Sequence, residues 1–553
     1  MRIHHLAAAL LATGLPAQLS CKVNDARSHG AIGDTRLSLD EAIQVINGTL
    51  AVTALSTTER AQFTGLGSIL EEIHLDPALT PTITLERVLT DVIGQPHAHA
   101  HVEILGAEGP NGEHVVIDAA NHAIGLPLRT NHAHVHGLVI RGGQIGIAYD
   151  TLLHYHPTEV GELGEVHCEG QSAVGIRVTN VASPVGQQAP LILHDVHVHD
   201  APIGLQVRDS SVFGNVYVDA KHLEFDDCGI GIDVDIQGNG GDHLLTVHGG
   251  SIRHASTGMR VRRAAASSAL WQFRLVHVDI DARMRAVDVE ANAIGATGLG
   301  LHHVVAHGGV LPGDHALRTA PRDSTMTLRV TETTLLGDVQ LALDPGANGL
   351  LFAGNHLRNG TLTIDFGGGS GLVQWNTLTS LPCSVAAANA GGITFDGCEF
   401  VRSPLSNSAP GPVVVTGCYL ASSPTSGAVT VQNALAAPWI GRVTVSPKDP
   451  PLGGFVDLSA DLPAGIAAIW LLGIAADNPN VFANPHRFYL DLTAYVQLPA
   501  VVLSQGRVRV AVPMNMSLRG RTFYAQPVQA PINGQPFVPG IFLPIGGAFG
   551  IEH

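Results

Sequence analysis

The sequence predicts an all-β chain built as a solenoid of short parallel strands, with a helical N-terminal cap and a small C-terminal β-sandwich. Three observations predict it. A glycine followed by an aliphatic, a variable residue and a second aliphatic recurs as "QIGIAY", "AVGIRV", "PIGLQV", "GIGIDV" and "STGMRV", at Gly146, Gly175, Gly204, Gly231 and Gly258, and drifts to "MRAVDV" at Ala286. The steps of 29, 29, 27, 27 and 28 residues indicate a repeat architecture, and the apolar residues alternate instead of returning every third or fourth, so each repeat is β. A second column, in "LLFAGNHL", "LVQWNTL", "ITFDGCEF" and "VVVTGCYL", sets Asn355, Asn376, Cys398 and Cys418 at intervals of 21, 22 and 20 residues. Asparagine at one turn of successive coils predicts a ladder of side-chain amides satisfying backbone groups, with cysteine taking over later. Finally, charged residues are 14% and aromatics 5%, against 63 glycines, as coils filled by small aliphatics and turned by glycine require.

The elements follow in chain order. "MRIHHLAAALLATGLPAQLSC" has a short basic start, an apolar run from Leu6 to Leu15 and small residues after it, and reads as a secretory signal over residues 1–20, too short to span a membrane. Cys21 would be the acceptor in a lipoprotein, but Leu19 directly before the small residue is one place off the usual pattern, so cleavage and release are expected. Residues 22–95 form the cap and first coils. There "RLSLDEAIQVING" carries Ser38 with Glu41 three residues on, apolar Leu39, Ala42, Ile43 and Ile46, and a closing Asn47-Gly48, which spell a capped helix. "STTERAQFTG" repeats the device with Ser56, Glu59 and Gly65. Two such helices would cover the open end of the stack, where unpaired strand edges invite aggregation.

Residues 96–445 carry the coils. A solenoid adds coils without enlarging its core, so 553 residues need only one long domain and a small one. After "VTVSPKDPPLGG" the repeat gives way to spaced strands such as "AIWLLGIA", "HRFYLDLTAYV" and "RVRVAVPM", the β-sandwich of residues 446–553. The six cysteines, Cys21, Cys168, Cys228, Cys383, Cys398 and Cys418, include no CxxC pair, which excludes a finger-type zinc site. Cys398 and Cys418, one coil apart at about 4.8 Å, are expected to stack as small buried side chains in preference to bridging.

"SLDEAIQVIN", followed by "TPTITLERVL" and "VEILGAEGPNGEHVVIDA", resembles the N-terminal segment of secreted proteins of the pectin-lyase-like superfamily, over roughly residues 36–440 as architecture. That resemblance implies a right-handed parallel β-helix, and it specifies a fold better than an activity, since the superfamily includes lyases, hydrolases, epimerases, adhesins and inert surface proteins. "VPMNMSLRGRTFYAQPV" resembles the C-terminal modules of many secreted planctomycete proteins, which implies an export or surface context for residues 450–553.

The net charge of −17, from 47 acidic and 30 basic residues, argues against nucleic acid as a partner, because phosphate backbones are bound by neutralising Lys and Arg. Aligning the coils on the glycine lets outward positions be read as columns. Five residues before it stand Arg141, Gly170, His199, Asp226, Arg253 and Asp281; seven before it stand Val139, Cys168, His197, Glu224, Ser251 and Asp279. Residues between them, such as Leu223 and Phe225, should point inward, because side chains alternate along a strand. Glu169 falls in that inward register, which calls for a one-residue bulge or a slip of the alignment there. Beyond the glycine lie Gln206, Asp233, Arg260, Asp288 and, two residues on, Arg208, Asp235, Arg262, Glu290, whose alternating signs read as self-neutralising ladders, each exposed pair worth about 0.2–1 kcal/mol.

The same residue types suit cleavage of an acidic polysaccharide, where a base removes the proton beside a uronate carboxylate, an arginine neutralises that carboxylate and Ca²⁺ sits on Asp or Glu oxygens. The catalytic candidates are Asp226, Arg253, Asp281 and His248; the substrate-binding candidates are His197, His199, Glu224, Asp279 and Arg260. "FDDCGIG" and "VHGGSI" also place Asp226, Asp227 and His248 in part of the polygalacturonase pattern of paired carboxylates, but no Asn-Thr-Asp lies one coil upstream and the Arg-x-Lys element is missing. Thirty histidines include "HAHAHVE", with His97, His99 and His101 beside Glu103, "NHAHVHG", with His132, His134 and His136, and, two coils on, His194, His197 and His199. Imidazoles at i and i+2 suit Zn²⁺ or Cu²⁺, although the second run brings no carboxylate of its own. Two function classes follow: an extracellular or cell-surface protein that binds or processes polysaccharide through the charged outer face, and a structural or adhesive rod.

Overall fold

The computed structural model describes residues 19–65, 70–93, 102–130, 133–152, 160–181, 191–209, 216–236, 243–263, 271–291, 297–309, 311–320, 326–343, 350–366, 371–374, 376–387, 392–434, 443–446, 454–460, 467–473, 495–497, 507–511, 522–530 and 547–550. The chain is all-β, and 37 of its strands belong to one mostly parallel sheet. It divides into two compact units, one of residues 1–329, 334–349 and 360–368, the other of 330–333, 350–359 and 369–553.

In the first unit the strand Leu19–Val23 pairs in parallel with Leu70–Leu75 and buries Cys21 completely. Residues 1–18, where most of the expected signal falls, lie outside the described residues. Both predicted helices form. Leu39–Ile46 and Thr57–Arg60 each begin with a reciprocal capping box, Ser38 with Glu41 and Ser56 with Glu59. Leu39, Ala42, Ile43 and Ile46 are buried, and the longer helix lies against Leu19–Val23 and Leu70–Leu75.

Each coil from residue 133 onward has three strand segments. The first two are joined by a residue at positive φ, in turn Gly137, Glu165, Asp195, His222, Gly249 and His277. The third begins near the recurring glycine. These glycines stack as predicted: a Cβ on Gly146, Gly175, Gly204 or Gly231 would stand 2.6–2.9 Å from the carbonyl oxygen of the next glycine in the series, and one on Gly258 would stand 2.5 Å from that of Ala286. It would also meet an inward side chain of the following coil, Cys168, Val198, Phe225, Ile252 and Ile280 respectively. Gly125 belongs to the same column, facing Gly146 and Ile140. Only a hydrogen fits where one coil's backbone crosses the next coil's core. The aliphatic that follows, Ile147, Ile176, Leu205, Ile232, Met259 or Val287, is at most 1% exposed, and burying each such side chain contributes about 1.5–3 kcal/mol.

In the second unit the repeat shortens. Leu350–Ala353, Gly371–Gln374, Ile393–Asp396, Val413–Thr416 and Val429–Gln432 pair in parallel succession, as do His356–Arg358, Thr377–Thr379, Glu399–Val401 and Tyr419–Ala421. The asparagine ladder is present. Asn355 Oδ1 accepts from the Thr333 amide, and Asn376 Nδ2 donates to Phe352 O at 2.7 Å. Cysteine does take over: Cys398 Sγ donates to Val373 O, Cys418 Sγ accepts from the Cys398 amide, and both thiols are free. A second ladder escaped the sequence reading. The Leu381 amide donates to Ser403 Oγ and the Ser403 amide to Ser423 Oγ, and the recurring "LP", "SP" and "SP" at Leu381, Ser403 and Ser423 were its signature. Beyond it, Val443–Ser446, Phe455–Ala460 and Arg507–Ala511 form one antiparallel sheet, and Ala467–Gly473, Tyr495–Gln497, Thr522–Ala530 and Gly547–Gly550 a second.

Candidate functional site

The three segments of the coils sort the sequence-derived site residues. Middle segments carry seven of them. His197, Glu224, Ser251 and Asp279 pair in one column and His199, Asp226 and Arg253 in the next; Asp281 follows Ile280, the partner of Ile252. His248 stands instead on a first segment, opposite Lys221 and Val276, with the positive-φ Gly249 and Gly250 between it and Arg253. Arg260 lies on a third segment. The structure therefore gathers Asp226, Arg253 and Asp281 with His197, His199, Glu224 and Asp279, and leaves His248 and Arg260 on other segments.

One coil is in a different register from the glycine-based alignment. His167 pairs with Val139 and His197, and Glu169 with Arg141 and His199, while Cys168 pairs with Ile140 and Val198 and is 1% exposed. Glu169, not Gly170, thus occupies the outward column, and His167 replaces Cys168 in the other. The coil's extra residue sits in the bend between its second and third segments. There the buried Gln171 Nε2 donates to the carbonyls of Ile140, Gly142 and Glu169 at 2.9–3.2 Å, which ties the longer bend to the coil before it.

Most carboxylates of the middle face have a basic partner on a neighbouring coil. Arg141 Nε meets Glu169 Oε1 at 2.5 Å, His197 Nδ1 meets Glu224 Oε2 at 3.0 Å, and His307 Nδ1 meets Asp281 Oδ1 at 3.0 Å. Asp226 is held from both sides, by His254 Nδ1 at 2.7 Å and His199 Nδ1 at 3.8 Å, and Asp227 meets Arg283 at 3.3 Å. Arg253 differs: its carbonyl accepts from the Asp227 amide at 3.2 Å, but its exposed side chain makes no hydrogen bond or ion pair among the described residues. Donor atoms of His199, Asp226 and Asp227 lie within 4.8 Å of one another, so this end of the face could hold a divalent cation on mixed imidazole and carboxylate ligands.

The third-segment columns have the predicted register but a different environment. Asp233 and Asp288 are 0% and 1% exposed while their arginine partners are 18–39% exposed, so the carboxylates are buried under the guanidinium groups instead of lying in an exposed surface ladder. Arg260 Nε and Arg262 Nη2 reach Asp233 at 2.8 and 3.3 Å, and Arg285 Nη1 and Arg318 Nε reach Asp288 at 2.7 Å each. Arg260 is thereby engaged within the fold. Outward parity along a strand foretold which side these residues take, but not that the side would be covered.

The histidine runs are divided. His97, His99, His101 and His132 lie outside the described residues; His134 and His136 share a first segment; and Asp195, at positive φ, separates His194 on a first segment from His197 and His199 on a middle one. No helix among the described residues is long and apolar enough to cross a membrane. No family model, curated protein or solved structure matches the chain.

Proposed function

We propose that the chain binds an acidic polysaccharide along the exposed column His199, Asp226, Arg253 and Asp281, as a secreted or cell-surface protein related in architecture to the pectin-lyase-like superfamily. One observation carries the reading. The Arg253 side chain has no partner among the described residues although carboxylates stand on either side of it, because Asp226 is taken by His254 and Asp281 by His307. A guanidinium left free beside paired carboxylates can accept a ligand carboxylate in the bidentate geometry arginine favours. The flanking imidazoles and carboxylates offer sugar hydroxyls both donors and acceptors. The N-terminal stretch through Leu15 and the resemblance of "SLDEAIQVIN" support the extracellular setting.

Binding is favoured over cleavage because His248 stands on a different segment from Asp226, and Asp226 is engaged by His254. A structural or adhesive rod is the second reading, favoured by the buried ladders of Asp233, Asp288, Asn355 and Asn376, which stabilise the stack without serving a ligand. Binding of polygalacturonate and of a neutral glucan, measured by titration calorimetry, tests the proposal. Arg253→Ala should weaken polygalacturonate binding at least about tenfold with the melting temperature unchanged, the loss of one charge-assisted contact. Arg358→Ala, an exposed arginine of the second unit, is the control. A wild-type protein that binds no acidic glycan would leave the rod.

A further inference from the structure

A second group of side chains lies on the first segments of three successive coils. His134 and His136 come from the strand Ala133–Gly142, Glu162 and Gly164 from Gly161–Glu169, and His194 from Leu191–His199. In register, Glu162 stands beside His134, and Gly164 is flanked by His136 on one side and His194 on the other. Donor atoms of His134, His136 and Glu162 lie within 4.8 Å of one another, and all three residues are half-buried.

Gly164 is what lets the imidazoles converge. A Cβ there would be 2.5 Å from His136 Nδ1 and 2.3 Å from His194 Nε2 and Cε1, so both rings lean into the space any other residue would fill. The ring centroids of His136 and His194 are 5.5 Å apart. Glycine inside a strand weakens it, and close approach by another group is the usual compensation.

The hydrogen bonds around the group turn the rings of His134 and His194 toward the Glu162 carboxylate. His134 Nε2 donates to Val160 O at 2.8 Å, which directs Nδ1 toward Glu162 Oε2 at 3.8 Å. His194 Nδ1 meets Asp195 Oδ2 at 3.2 Å, which turns Nε2 toward Glu162 Oε1 at 2.8 Å. In each case a nitrogen whose partner fixes the other ring N–H is directed at a carboxylate oxygen. In this structure a proton holds His194 Nε2 to Glu162 Oε1 at hydrogen-bond distance, and a bound cation would take that proton's place. Backbone carbonyls and carboxylates behind metal-ligating histidines set tautomer and orientation in this way. Glu103, beside His134 on the preceding coil, adds a further carboxylate nearby.

We infer that His134, His136, His194 and Glu162 form a Zn²⁺ site. Three imidazoles and one carboxylate are the donor set of zinc, not of Ca²⁺ or Mg²⁺; His134, His136 and Glu162 already offer donors within 4.8 Å of one another, and His194 would exchange its bond to Glu162 for the fourth position. Four protein ligands leave no open position, so the ion is a clip that joins three coils and not a catalytic centre.

The test uses the full chain without a histidine tag, stripped with chelator and titrated with ZnCl₂ against a chromophoric competitor. The expected result is one high-affinity equivalent that disappears in Glu162→Gln and in the His136→Ala/His194→Ala double variant but persists in His303→Ala. Asp195→Asn, which removes only the residue behind His194, should weaken binding about 10–100-fold. Co²⁺ in place of Zn²⁺ should give the intense visible bands of a tetrahedral ion in wild type and lose them in the double variant. Gly164→Ala gives a check that keeps every ligand: it should weaken Zn²⁺ while the melting temperature in chelator shows the coil still folded. Equal Zn²⁺ uptake and affinity in wild type and the folded Glu162→Gln and double variants, or no high-affinity equivalent in wild type, would overturn the assignment and leave a proton-sharing imidazole cluster.

Discussion

Asn376 lies directly beneath Asn355 in the stack, and its Oδ1 accepts both the backbone N–H and the side-chain Nδ2–H of Asn355, each at 2.9 Å. Both residues are completely buried. Each side-chain amide therefore bonds the coil before it and the coil after it.

Replacing Asn376 with alanine leaves the Asn355 amide and Phe352 O without partners in a dry interior, at about 1–3 kcal/mol for each unsatisfied group. Asn376→Ala should lower unfolding stability by about 3 kcal/mol or more in urea denaturation. A loss below about 1 kcal/mol would mean that the ladder is dispensable.

The glycine column makes a sharper contrast. A Cβ on Gly231 would sit 2.5 Å from Ile252 Cγ2 and 2.8 Å from Gly258 O, whereas one on Gly300 meets nothing nearer than 3.5 Å. Gly231→Ala should cost about 1–3 kcal/mol through overpacking, and Gly300→Ala should be neutral or stabilising. Equal effects at the two sites would show that close coil approach is not what selects glycine.

Buried and exposed carboxylates should separate in the same assay. Asp233→Ala leaves Arg260 without its carboxylate and Arg262 with Asp235 alone, and because both arginines stay partly solvated it should cost about 1–3 kcal/mol. Asp226→Asn, on the solvated middle face, should change stability by no more than about 0.5 kcal/mol. Added salt should leave the Asp233 effect largely intact, since buried pairs are little screened.

His167 supplies a pH dependence. Its ring stacks on His197 at 4.6 Å between centroids and is tilted against His114 at 5.9 Å. Desolvation, then the two neighbouring imidazoles, hold its pKa below the ordinary 6.5, while Glu169 and Glu224 act weakly the other way. The unfolded chain then binds this proton at a higher pH than the folded one, so its stabilising share is complete above about pH 6.5 and is lost as the pH falls below it. Between pH 7 and pH 5 the melting temperature of His167→Gln should fall less than that of wild type. Parallel curves would refute the assignment.

The fold was legible where backbone geometry leaves a residue no choice. Only glycine fits at Gly204, and only a short polar side chain, amide or thiol, reaches the neighbouring coils from the turn at Asn355, so both columns can be read from the chain. Register was legible only as far as coil length stayed constant, and the extra residue in the bend at Gln171 moved His167 and Glu169 into positions first given to Cys168 and Gly170. Parity along a strand told which side Asp233 takes, yet not that solvent is excluded there, because exclusion depends on what lies over the strand. Glu162 was missed because its partners are a coil away on either side, with no sequence neighbour to announce them. Gly164, a glycine interrupting the strand "GELGEVHC", was the available signal.

The six cysteines turn the stack into its own recorder. They begin at Cys21 in the first strand and end at Cys418 near the last coil, each is at most 2% exposed, and all are unpaired. Burial pushes the Cys228 thiol up to about 11 and raises Cys21, Cys168, Cys383 and Cys398 as well, so at neutral pH an alkylating reagent finds almost no thiolate in the closed form. Labelling at each site then waits for its own coil to open, and the order in which the six are modified, followed by mass spectrometry under native conditions, would trace where the solenoid begins to fray.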